Sequence, residues 1–192
     1  MRYLLTGGSA CGKSGYAEAL AMACPTPRIY VATMQPYGAE GQKRIERHRE
    51  MRAKKQFSTV ERYTNLAGLT LPERGVVLLE CIGNLTANEM FNPAKSCDMC
   101  ADEEWGPPPG YPDSIDAYAA KAVLDGVERL AEQCETLIVV TNEVGSDGGG
   151  YEKETMRYVD TIGYINARLA ERFDRVYELV CGIPLPRKGE LP

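Results

Sequence analysis

Apolar and polar positions along the chain alternate between two kinds of run. Tyr3-Leu4-Leu5, Arg28-Ile-Tyr-Val-Ala-Thr33, Val76-Val77-Leu78-Leu79, Thr136-Leu-Ile-Val-Val-Thr141 and Arg175-Val-Tyr-Glu-Leu-Val180 are short and rich in strand-favouring residues. The uninterrupted apolar runs at 76 and 136 predict strands covered on both faces. Between these runs the apolar positions fall three and four apart. Ile115, Tyr118, Ala119, Ala122, Val123, Val127 and Leu130 mark one face of a helix over 114–133, and Met156, Val159, Ile162, Ile165 and Leu169 mark one over 152–172. Shorter helices are predicted after residue 15 and over 82–91, a short strand at Phe57-Ser-Thr-Val60, a weak helical turn over 66–71, and a terminal tail from Gly182 to Pro186. Strand and helix alternate without internal repeat. This pattern predicts an α/β fold, an open, mostly parallel sheet with helices on both faces. Residues 1–192 read as one domain. Only Asn92 to Pro112 breaks every period, with Pro93, Pro107-Pro-Pro109, Gly110 and Pro112, and is read as an inserted loop.

The first strand leads into Gly7-Gly8-Ser9-Ala10-Cys11-Gly12-Lys13-Ser14, which satisfies G-x4-G-K-[ST] between a strand and a helix. Glycines let successive backbone N–H groups turn inward around phosphate oxygens, at a helix N-terminus whose dipole favours an anion. In such a loop Lys13 reaches the terminal phosphates and the Ser14 hydroxyl binds Mg²⁺. The fold expected is therefore P-loop NTPase-like, with a nucleoside triphosphate as ligand. Glu80, at the carboxyl end of the buried run from Val76, is placed as the second Mg²⁺ ligand.

Composition narrows the partners. The 192 residues have 44% hydrophobic and 26% charged residues, ordinary for a globular protein, and a formal charge of -5. No Lys/Arg stripe marks a nucleic-acid or membrane-surface face. The amino-terminal apolar run is too short for a signal-peptide core and no stretch reaches the length of a membrane span, so a cytoplasmic protein is expected. Most of the seven cysteines, in a chain with no export signal, are expected to be reduced and buried. Cys97-Asp-Met-Cys100 supplies only two metal ligands without a second pair or a nearby histidine.

Charge concentrates from Gly38 to Met51, where a helix with little to bury is predicted. His48, the single histidine, lies there among Arg44, Arg47, Arg49 and Arg52. Neighbouring guanidinium groups disfavour the imidazolium, which leaves a neutral nucleophile near pH 7, and the same arginines suit phosphate oxygens.

With the P-loop, the run Val31-Ala32-Thr33, Arg44-Ile45-x-x-His48-x-x-x-Arg52, Leu78-Leu79-Glu80-Cys81, Thr141-Asn142-Glu143-Val144-Gly145, Asp160-x-x-Gly163-x-x-Asn166-x-x-Leu169-Ala170 and Gly182-Ile183-Pro184, the chain resembles the bifunctional adenosylcobinamide kinase and adenosylcobinamide-phosphate guanylyltransferase family of cobalamin biosynthesis. The resemblance spans nearly the whole chain. It implies that ATP or GTP phosphorylates the aminopropanol hydroxyl of adenosylcobinamide. It further implies that His48 takes GMP from GTP and passes it to adenosylcobinamide phosphate, giving adenosylcobinamide-GDP. His48 and Lys13 would then be catalytic. Nucleotide contacts would fall on Gly7, Gly8, Ser9, Ala10, Cys11, Gly12, Lys13 and Ser14, on Ala32, Thr33 and Met34, on Arg49, Glu50, Met51 and Arg52, and on Glu61 and Glu80. A homotrimer is also implied. Ala53, the glycine-rich loop after Gly145 and Val159 depart from the family pattern, but none touches the P-loop, His48 or Glu80.

Two other functions use part of this pattern. A monofunctional P-loop small-molecule kinase needs the loop and Glu80 but leaves His48 without a role. A GTP-binding regulatory module would carry an Asn-Lys-x-Asp segment, which the sequence lacks.

Overall fold

The computed structural model describes residues 1–36, 46, 50, 52–91, 110–145 and 150–191. Among the described residues seven strands form one sheet: β1 (Arg2–Thr6), β2 (Arg28–Ala32), β3 (Phe57–Glu61), β4 (Val76–Glu80), β5 (Thr136–Val140), β6 (Arg175–Val180) and β7 (Ile183–Lys188). Their order is β3-β2-β4-β5-β1-β6-β7, parallel throughout except for the antiparallel β6–β7 pair. Helices with both ends among the described residues are α1 (Lys13–Met22), α2 (Ile82–Met90), α3 (Ala117–Glu132) and α4 (Lys153–Arg172), with a 3-10 turn at Leu66–Gly68.

Alternation along each strand divides the interior in two. On one face Leu4, Val31, Val77, Leu79 and Val139 pack with α2, α3 and α4 through Leu85, Val123, Leu130, Ile162 and Ile165. On the other, Leu5, Tyr30, Leu78, Ile138 and Tyr177 meet Ala17, Leu20 and Ala21 of α1. Val77, Leu78 and Leu79 are all fully buried, as the unbroken run predicts, and each contributes about 1.5–3 kcal/mol of apolar burial. The expected α/β sheet with helices on both faces is thus the observed one. Among the described residues no helix is long and apolar enough to cross a membrane.

The end of the chain differs from expectation. Residues 183–188 form β7 rather than a tail, joined to β6 by Cys181 and Gly182, both at positive φ (51° and 81°), the backbone of a tight hairpin turn. Pro184 and Pro186 mask this strand in the sequence, yet proline is tolerated on a sheet edge, which is where β7 lies. The hairpin also supports the P-loop: the Gly182 N–H donates to the Cys11 carbonyl at 2.8 Å. Most of the charged helix predicted over 38–51, residues 92–109 of the inserted loop with Cys97 and Cys100, and residues 146–149 lie outside the described residues.

Candidate active site

The carboxyl ends of β1, β2, β4 and β5 open onto a cleft of about 580 Å³. Its floor is the P-loop. Ala10 (φ 55°) and Gly12 (φ 96°) take left-handed conformations, so successive N–H groups turn toward a common concavity at the start of α1. The buried Lys13 ammonium donates to the Gly7 and Gly8 carbonyls at 2.8 and 2.6 Å. Its remaining proton meets Cys11 Sγ at 3.7 Å, a soft acceptor that an anionic oxygen displaces readily.

Glu80 and Ser14, 66 residues apart, meet across the cleft: Ser14 Oγ donates to Glu80 Oε1 at 2.5 Å. The other carboxylate oxygen accepts from the Tyr30 hydroxyl at 2.6 Å. Backbone contacts hold Glu80 from behind. Thr33 N–H donates to the Glu80 carbonyl at 3.0 Å, the Cys81 N–H donates to Thr33 Oγ1 at 2.7 Å, and that hydroxyl donates to the Cys81 carbonyl at 2.8 Å. Hydroxyl and carboxylate oxygens side by side are hard donors of the kind Mg²⁺ takes, so the residues present fit that ion.

The opposite wall carries Arg52, whose guanidinium lies over the Tyr30 ring with 3.9 Å to the centroid. Both side chains are mostly buried. Burial, reinforced by the Glu80 charge, pushes the Tyr30 phenol far above its ordinary range, so it remains a proton donor at any working pH. Lys55, three residues beyond Arg52, pairs with Glu18 of α1 and fixes this segment against the P-loop helix. Glu61, at the end of β3, accepts from the Tyr63 hydroxyl at 2.8 Å. Burial raises the Cys81 thiol and keeps it protonated, which makes it a packing group at the cleft edge.

Of the residues expected to meet nucleotide, Ser9, Ala10, Cys11, Gly12, Lys13, Ser14, Ala32, Met34, Arg52, Glu61 and Glu80 line this cleft. Gly7 and Gly8 do not line it; their carbonyls hold Lys13. Thr33 does not line it; it is fully buried, and its carbonyl accepts from Asn88 Nδ2 at 2.8 Å. Glu50 is helical and exposed. His48, Arg49 and Met51 lie outside the described residues. Sequence reasoning missed Tyr30, Asn84 and Asn142 as lining residues. Asn142 directly follows β5 at the sheet edge where ligands bind, and that position was the available signal. Asn166 of α4 fixes its backbone, donating to the Asn142 carbonyl at 3.1 Å.

The family model described as cobinamide kinase / cobinamide phosphate guanyltransferase matches residues 3–186. The bifunctional adenosylcobalamin biosynthesis protein CobU of Escherichia coli (strain K12) is 31% identical over 191 residues, covering 95% of this chain and 97% of that protein. The bifunctional adenosylcobalamin biosynthesis protein CobP of Pseudomonas aeruginosa is 32% identical, with 99% of both chains covered. Among solved structures, an ATPase from the type III secretion system of pathogenic bacteria aligns with a TM-score of 0.51 at 11% identity, over 97% of this chain and 56% of that one, a likeness of fold.

Proposed function

Because the chain belongs to the cobinamide kinase / cobinamide phosphate guanyltransferase family, we propose that it catalyses both reactions at the cleft described above. In the first, the γ-phosphoryl group of ATP or GTP passes to the aminopropanol hydroxyl of adenosylcobinamide, and a nucleoside diphosphate leaves. In the second, a ring nitrogen of His48 attacks the α-phosphorus of GTP, the bond to pyrophosphate breaks, and a guanylyl-histidine forms. A phosphate oxygen of adenosylcobinamide phosphate then displaces the histidine, giving adenosylcobinamide-GDP.

The observation that carries this reading is the convergence of Lys13, Ser14 and Glu80 at the P-loop within a chain matched over its length by the family model. Lys13 and the loop N–H groups would hold the terminal phosphates and offset the charge that develops as the phosphoryl group moves. Ser14 and Glu80 would hold Mg²⁺, which supplies charge neutralisation between phosphate oxygens. Arg52, four residues after His48 in the sequence and held on the Tyr30 ring, is suited to grip nucleotide phosphate. Ser9 to Gly12, Ala32, Met34 and Glu61 would complete the nucleotide site, and Arg49, Glu50 and Met51 belong to the same segment as His48. We further propose that residues 1–192 act as one domain in a cytoplasmic homotrimer, which light scattering on the purified protein tests.

The direct test is to supply the purified protein with Mg²⁺, GTP and adenosylcobinamide and to follow products by liquid chromatography and mass spectrometry. Adenosylcobinamide phosphate should appear first and adenosylcobinamide-GDP after it, with pyrophosphate released. Accumulation of the phosphate alone would leave a monofunctional kinase.

A further inference from the structure

One buried side chain in the cleft has no part in the chemistry above. Tyr30 lies on β2, on the same face as Ala32, which pairs in register with Glu80 of the neighbouring β4. From Tyr30 to that register position the strand rises roughly 6.6 Å, a span a phenol can bridge when the residue at that position is small. Alanine at 32 meets that need. The ring has little freedom. The Arg52 guanidinium covers one face at 3.9 Å, and Phe57 of β3 packs edge-on with centroids 6.2 Å apart at 90°.

We propose that Tyr30 is a positioning residue for the metal-binding carboxylate: by donating to Oε2 of Glu80 at 2.6 Å, its hydroxyl fixes the carboxylate rotamer that presents Oε1 to Ser14. A carboxylate at a strand end otherwise turns freely about its terminal bond. Holding one oxygen removes that freedom before the ion arrives. Through its ring the same residue also orients Arg52, so metal and phosphate ligands are registered to one another. The inference rests on the assignment of Glu80 as a metal ligand.

The test is Tyr30→Phe, which keeps the ring on Arg52 and Phe57 and deletes only the donor. Mn²⁺ is titrated into protein preloaded with a non-hydrolysable GTP analogue, and free Mn²⁺ is read by electron paramagnetic resonance. The dissociation constant should rise roughly tenfold, the effect of one hydrogen bond to a charged group. The Mg²⁺ concentration for half-maximal turnover should rise by the same factor, with most of kcat recovered at saturating metal. Unchanged Mn²⁺ affinity, or lost turnover that excess Mg²⁺ does not restore, would overturn the proposal. Phe57→Leu loosens the ring's packing while retaining the hydroxyl; it should lower the urea midpoint without weakening Mn²⁺. Equal weakening by Phe57→Leu and Tyr30→Phe would assign the effect to packing and also overturn the proposal. Glu80→Gln separates this inference from its premise. If it weakens Mn²⁺ and Tyr30→Phe does not, only the role of Tyr30 falls; if neither weakens it, the metal assignment itself falls.

Discussion

Gly7→Ala should damage the P-loop through its foundation. Gly7 has φ +142°, where residues with a Cβ are strained, at a typical cost of about 1–3 kcal/mol. A Cβ there would sit 2.6 Å from the Leu179 carbonyl oxygen of β6 and 2.9 Å from Cys11 Sγ. Carbon and carbonyl oxygen ordinarily approach no closer than about 3.3 Å, so the overlap is about 0.7 Å against a strand interior to the sheet. Cys11 can rotate away; the β6 backbone cannot move without disturbing its pairing with β1. Overpacking of this kind adds about 1–3 kcal/mol, which brings the expected loss to about 4 kcal/mol. With a urea m value of roughly 2 kcal/mol/M, the midpoint falls by about 2 M. Gly8→Ala is the matched control: nothing lies within 4 Å of its Cβ, and its φ is not positive. Its unfolding free energy should stay within about 0.5 kcal/mol of the parent. Urea unfolding followed by circular dichroism measures both. Equal losses in the two variants, or a neutral Gly7→Ala, would refute the assignment of the loop's strain to Gly7 and its contact with β6.

Other expectations follow from single contacts. Arg52→Lys keeps the charge but loses the planar stack on Tyr30, so KM for GTP should rise roughly threefold to tenfold with a smaller change in kcat; an unchanged KM would deny Arg52 a phosphate contact. Burial pushes the Cys134 thiol from 9.0 to about 11. Below pH 9 it is neutral in both states, so its contribution is fully present. Between pH 9 and 11 the unfolded chain releases this proton while the folded chain keeps it, and stability falls. Urea midpoints over that window should decline less steeply in Cys134→Ala, and an identical slope would contradict the burial account.

The sheet was legible where burial leaves its mark on the residues themselves. Val76 to Leu79 and Thr136 to Val140 could hardly be anything but central strands. β7 was not legible, because two prolines in six residues carry the signal of a chain leaving regular structure, and only the edge position makes them tolerable. The P-loop was legible because phosphate binding demands particular residue types at particular spacing. Glu80 was legible by the same logic, from its place at a strand end. Tyr30 was not, since a tyrosine in an apolar strand reads as core until its hydroxyl is seen on Glu80. Asn84 carries a single carboxamide with no spacing rule to mark it, whereas Asn142 was marked only by its place directly after β5. Thr33 shows the converse: placed beside the cleft by resemblance, it spends its hydroxyl on the Cys81 backbone, and its contribution to the cleft is to hold Glu80.

The guanylyl transfer from GTP to His48 proposed above has a direct test. Purified protein is incubated with Mg²⁺ and GTP labelled at the α-phosphate, resolved on a denaturing gel, and mapped by mass spectrometry. The expected product is an adduct on His48 that is labile to acid, stable to alkali, discharged by adenosylcobinamide phosphate, and absent from His48→Ala. No adduct on protein that still binds GTP, or an adduct that survives His48→Ala, would contradict it.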